Sequence, residues 1–157
     1  MSGFTAAGIS KTTVTTTQQC PLGFVLTVPN GDYGLQEWVY VVNDDAAALE
    51  VGDCVMIETT NYVPYRAIKT GGPHDSLKII GCAQHAVAAG SYGFVLKKGK
   101  GLARGDGSVA QGESIVSHST AFVDTMAAGE ENMVIGLALA DDGGAGDTFS
   151  VLLSCGV

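Results

Sequence analysis

Ser117-His118-Ser119-Thr120, followed by Asp124, places a nucleophile, an imidazole and a carboxylate within eight positions. These are the residue types of acyl-transfer chemistry. A catalytic triad is defined by geometry, however, and the chain has no Gly-x-Ser-x-Gly turn to present an activated serine. Paired acids stand at Asp44-Asp45, Glu130-Glu131 and Asp141-Asp142. Neighbours on a strand point to opposite faces, so such pairs do not share a proton and read as solubilising loop charges. His74, His85 and His118 are too widely separated for zinc-ligand spacing. Asp141-Asp142 with Asp147 could offer oxygens to a hard cation, but lacks the ordered ligand series of an EF-hand loop. Cys20, Cys54, Cys82 and Cys155 form no Cys-x-x-Cys pair and are expected to be buried free thiols. No catalytic residue, metal site or cofactor is expected.

Basic residues are unevenly placed. Lys97, Lys98, Lys100 and Arg104 are half of the 8 Lys+Arg. They precede and enter "GKGLARGDG" at 99–107, which lacks the spacing of a phosphate loop. Its Arg-Gly-Asp letters are better explained by turn composition than by cell adhesion. Two readings of the cluster stand side by side: a solvated loop tip, or a basic patch that docks onto an acidic neighbour or another copy of this acidic chain. A net charge of -8 opposes nucleic acid, whose binding depends on cations that neutralise phosphates. No apolar run approaches a membrane span, and the Ser/Thr/Gly-rich start lacks the apolar core of a signal peptide, so synthesis in a cytosol is expected.

The elements that would carry these residues are short. A rhythm of small residue, glycine, polar residue and apolar run recurs around Gly52, Gly90, Gly112, Gly129 and Gly146. Apolar runs rich in Val, Ile, Phe and Tyr fall at 22–28, 37–42, 54–58, 77–83, 92–97, 114–117, 133–139 and 148–153. Turn compositions separate them at 29–32, 71–73, 99–107 and 143–144. This pattern predicts an all-β fold, an antiparallel barrel or sandwich of β-tulip type. Short helices are expected at most at 43–50 and 120–129. A chain of 157 residues fits one domain. We read 1–20 as an extended N-terminal arm and 21–157 as one β-rich domain, with room for an added subdomain within 30–75. Trp38, Tyr40, Tyr62 and Tyr65 are candidates for either core packing or an aromatic contact surface.

A longer echo links "IGCAQHAVAAGSYGFVLKKG" at 80–99 with "IGLALADDGGAGDTFSVLLSCG" at 135–156. Each reads as a strand that leaves through a tight bend and returns antiparallel. With its Ile-Gly-x-Ala, Ala-Gly and strand, this pattern resembles the capsid decoration, or cement, proteins of tailed bacteriophages, including the lambda-type head decoration protein. The resemblance covers about a third of the chain, over 79–101 and 128–157. It implies a virion structural protein on the capsid exterior, typically a homotrimer, that binds the major capsid protein and stabilises the lattice. It also implies an N-terminal arm lying on the shell. Thr12, Thr13, Thr15, Thr16 and Thr17 in the arm, with Lys97, Lys98, Lys100 and Arg104, are then the candidate capsid or subunit contacts. A tail- or fibre-associated β-domain and a small-ligand-binding barrel share the strand pattern and remain alternatives.

Overall fold

A computed structural model of the protein describes residues 9–74 and 76–156. The described residues form ten strands: β1 (Val25–Pro29), β2 (Leu35–Asn43), β3 (Cys54–Ile57), β4 (Arg66–Lys69), β5 (Ile79–Cys82), β6 (Tyr92–Arg104), β7 (Ser114–Ser117), β8 (Val123–Thr125), β9 (Val134–Ala138) and β10 (Thr148–Ser154). The sheet order is β1-β2-β4-β3-β5-β6-β10-β9-β7-β8, and a further pairing of β2 with β6 closes the first part into a five-stranded barrel. Apart from parallel β2–β4, the strand pairs are antiparallel. The expected all-β class therefore holds. No helix among the described residues is long and apolar enough to cross a membrane.

The recurring glycine is a turn residue. Each of the five sits at φ between +72° and +92°, the value required at the third position of a type II turn. Each turn closes with the same hydrogen bond, from the N–H of the polar residue after glycine to the carbonyl three residues earlier: Asp53 to Glu50, Ser91 to Ala88, Glu113 to Ala110, Glu130 to Ala127 and Asp147 to Gly144. In three of them the polar side chain also accepts the N–H of the first turn residue, as Asp53 does from Glu50, Glu113 from Ala110 and Glu130 from Ala127. The rhythm thus encodes one turn, used five times, each feeding a following strand directly or through a short connection.

Apart from β4, the barrel staves are largely buried on both faces, which explains their near-continuous apolar runs. Val39, Val41, Val55, Ala67, Ile80 and Val95 come from all five staves and form the barrel interior, with Leu49 and Val87 packed against them. The alternate residues Trp38, Tyr40, Cys54, Met56, Phe94 and Leu96 face a second core, which continues through Ile115, Ile135, Phe149 and Val151. The echo at 80–99 and 135–156 corresponds to the antiparallel pairs β5–β6 and β9–β10. All four cysteines are free and buried. Cys82 lies opposite Cys54, and the hydrogen bond between them together with burial raises the Cys82 thiol well above its usual range.

Three local expectations fail. Residues 43–50 do not form a helix because side chains take over the backbone groups. Asn43 donates to the carbonyls of Ala47 and Val87 and accepts from the N–H of Asp45, while Asp45 accepts from Ala47 and Lys69. Residues 120–129 are broken at Thr120 and Ala121, both at positive φ, and continue as β8 paired with β7. The turn expected at 99–107 is strand as far as Arg104, since β10 supplies a partner for every residue from Lys98 to Arg104. Residues 35–69 contribute β2, β3 and β4 to the same barrel as β5 and β6.

Two substitutions probe this architecture. A Cβ at Gly81 would lie 2.2 Å from the Leu96 carbonyl oxygen, so Gly81→Ala is expected to lower stability by at least about 1–3 kcal/mol in urea unfolding. Glu58 is buried and accepts the N–H groups of Val63, Thr60 and Asn61, the Val63 bond being the largest influence that lowers its pKa. Because the folded pKa is depressed, its contribution is present above the unfolded value of about 4.3 and vanishes as pH falls through the folded value. Glu58→Gln should reduce the urea midpoint at pH 7, and the difference from the native chain should shrink progressively below about pH 4.

Candidate functional site

Strand β10 alternates strictly. Phe149, Val151 and Leu153 face inward, and Thr148, Ser150, Leu152 and Ser154 face outward. Leu152 is the apolar exception on the outer face, 43% exposed. Cross-strand pairing puts it opposite Leu137 of β9, 38% exposed, and opposite Lys100 of β6. One residue pair further along, Lys98 stands between Glu37 and Ser154. Leu35, 62% exposed, Glu37, Lys98, Leu137, Leu152 and Ser154 line an open groove of about 580 Å³. The Lys100 ammonium lies 3.4 Å from the centre of the exposed Tyr33 ring, a cation–π contact that holds the aromatic beside the lysine. Apolar side chains grouped on an outer sheet face and rimmed by charge have the composition of an interaction surface.

The candidate contacts of the arm and of the basic segment have different surroundings. Thr12 and Thr13 bond to Ser10, and Thr15 donates its hydroxyl to the Thr17 carbonyl. The Thr15 backbone exchanges both hydrogen bonds with Tyr92, so this part of the arm lies on the protein's own barrel. Ile9 and Cys20 are buried at its two ends, while Thr12, Thr16 and Thr17 are exposed. Lys97 is half-buried, and its carbonyl accepts the Cys155 N–H. Lys98 and Lys100 share the outer face because they are two residues apart on one strand.

Arg104 is committed internally. Its Nη1 lies 3.0 Å from Asp53 and 2.9 Å from Glu50, and its Nε donates to the Gly146 carbonyl. Asp53 is fully buried and also pairs with Lys69 at 3.0 Å. The Arg-Gly-Asp letters are therefore not displayed as a unit. The aromatics divide as well: Trp38 and Tyr40 are core, whereas Tyr62 is 55% exposed. Leu35, Leu137 and Leu152 escaped sequence reading, although a leucine between two serines on an alternating strand was the available signal for Leu152.

Of the residues with chemical potential, Ser117 is buried and donates to the Gly72 carbonyl while accepting the His74 N–H. Ser119 lies 3.2 Å from His118 Nδ1, and His118 Nε2 is 3.9 Å from Asp124. Nearby amides of His118, Ala121 and Phe122 donate to the protein's own carbonyls. The Asp142 carboxylate accepts the N–H groups of Gly107 and Val109, and Asp141 accepts that of Gln111. Those acids anchor a loop. His85 packs on Trp38 with ring centres 6.5 Å apart, and burial lowers its pKa.

The architecture is that of a five-stranded β-barrel extended by further strands of the same sheet. No family model matches the chain, and no curated protein matches it in sequence. Among solved structures, it is similar in fold to the N base of the head fibre protein gp8.5 of bacteriophage phi29, with a TM-score of 0.54 and 9% identity over 74% of this chain and 94% of that one.

The two kinds of basic residue should separate experimentally. Arg104→Met leaves the buried Asp53 with Lys69 as its one cationic partner and is expected to cost about 1–3 kcal/mol in urea unfolding. Lys98→Gln should change stability by no more than about 0.5 kcal/mol, as expected at a surface position.

Proposed function

We propose that this chain is a structural protein of a tailed-phage head, a decoration protein that binds the outside of the shell as a homotrimer and stabilises the capsid lattice by adhesion rather than chemistry. The observation that carries the reading is the fold likeness to a phage head-fibre base, of which 94% is covered. The sequence pattern at 80–99 and 135–156 supports the same reading independently of that likeness.

The groove between β6, β9 and β10 is the proposed contact face. Enclosing a fully exposed leucine contributes roughly 1.5–3 kcal/mol, of which the partly exposed Leu35, Leu137 and Leu152, close enough to be covered together, would each supply a fraction. A single contact of this size is modest. Three copies in one trimer, each bound to the same lattice, would raise the effective concentration and slow dissociation. Lys98 and Lys100 would orient the face toward an acidic neighbour.

The likeness to a fibre base favours a second reading, in which the chain forms the head-proximal foot of an appendage. Copy number distinguishes the two. Quantitative mass spectrometry of particles from the lysate expressing this gene should give close to one copy per major capsid subunit for a decoration protein. Far fewer copies would favour the appendage reading, and absence from particles would end both. A Leu137→Asp/Leu152→Asp double variant should fold normally by circular dichroism yet be depleted from purified particles.

A further inference from the structure

We propose that Asp106, His118 and Asp124 bind one divalent transition-metal ion of the Zn²⁺ class where β8 meets the end of β6. One ligand atom from each residue lies within 4.8 Å of the other two, and all three side chains are half-buried. The three come from separate elements: Asp106 follows β6, His118 follows β7, and Asp124 is the middle residue of β8. Their backbones are already tied together. Gly105 bridges Val123, Asp106 donates its N–H to the Val123 carbonyl, and His118 donates its N–H to the Phe122 carbonyl.

The donor set decides the class of ion. One imidazole nitrogen with two carboxylate oxygens suits zinc and its first-row neighbours, whereas calcium and magnesium favour all-oxygen shells. The orientation of His118 fits: Nε2 faces Asp124 at 3.9 Å, and the Ser119 hydroxyl, 3.2 Å from Nδ1, is placed to accept the Nδ1 hydrogen when Nε2 ligates an ion. Zinc ligands at about 2.0–2.2 Å from the metal lie roughly 3.3 Å from one another, so the set closes by small side-chain rotations. The half-exposed position leaves room for water as the remaining ligand.

The electrostatics call for a cation as well. The Ser108 hydroxyl is 2.7 Å from Asp106 and 2.8 Å from Asp124, but its single hydrogen can serve only one of these carboxylates. Among the described residues, neither acid forms an ion pair with lysine or arginine. A bound ion would neutralise both acids and cross-link three chain segments at a seam otherwise held by an isolated bridge. This inference is independent of the capsid reading.

The test uses the full chain after chelator treatment. Calorimetric titration with Zn²⁺ should show one site per chain, and saturating Zn²⁺ should raise the melting temperature. Co²⁺ should produce visible d–d absorption that Zn²⁺ displaces. Asp106→Asn and His118→Gln, each verified as folded by circular dichroism without metal, should weaken Zn²⁺ binding tenfold or more and reduce the melting shift. Ca²⁺ should bind far more weakly than Zn²⁺. The proposal is overturned if the native chain shows neither saturable Zn²⁺ heat nor a cobalt band at millimolar metal. It is equally overturned if His118→Gln binds Zn²⁺ as the native chain does. Should a variant fail to fold, the cobalt titration of the native chain decides whether a site exists, and proton NMR of its histidines decides whether His118 is a ligand.

Discussion

Strand β6 must serve both the barrel and its extension, and most of the structure follows from that constraint. Its first half pairs with β2 and touches β5, closing the barrel; its second half, from Lys98 onward, pairs with β10. A strand that changes partner halfway must twist away from the first while keeping its ladder filled. The register shift opposite Glu37 and Trp38 marks the change. At Gly99 the backbone of Leu35 and Gln36, and at Gly101 the side chains of Leu96 and Gln84, leave no room for a Cβ. From the end of β6, the sheet β10-β9-β7-β8 curls back until Val123 bridges Gly105. Two strand circuits thus share one stave.

The shared stave is fastened at its end by charge. Asp53 immediately precedes the barrel strand β3 and is fully buried, so its carboxylate needs cationic partners. Lys69 supplies one from β4, and Arg104 supplies another from the last position of β6. Arg104 also reaches Gly146 and lies over the Phe122 ring, both in the second circuit. One guanidinium thereby joins the barrel to its extension. Lys98 of the same segment, freed from this duty, presents its charge at the rim of the apolar groove.

Much of this was legible along the chain. Eight apolar runs located eight of the ten strands, and the five recurring glycines located five identical turns, because both depend on local φ preference and alternation. The two strands that were not legible, Arg66–Lys69 and Val123–Thr125, are too short and polar to show a period of two. The expected helices at 43–50 and 120–129 failed where non-local partners outweighed weak propensity: Val87 for Asn43, and β7 for β8. The basic segment was visible as a charge cluster, but its division into a buried tie and exposed lysines was not. That division depends on Asp53, distant in sequence and adjacent in space.

The sequence by itself determined an all-β class, the five recurring glycine positions, the free cysteines and the unfavourable charge for nucleic acid. These follow from residue type and short spacing, and they need no knowledge of which strands meet. Only the tertiary structure decided that β6 joins two circuits, that Leu35, Leu137 and Leu152 share one outer face, and that Asp106, His118 and Asp124 converge. Each of those depends on pairing between strands far apart in the chain. Such pairing is selected by the summed burial of many side chains, and no short window of sequence contains it.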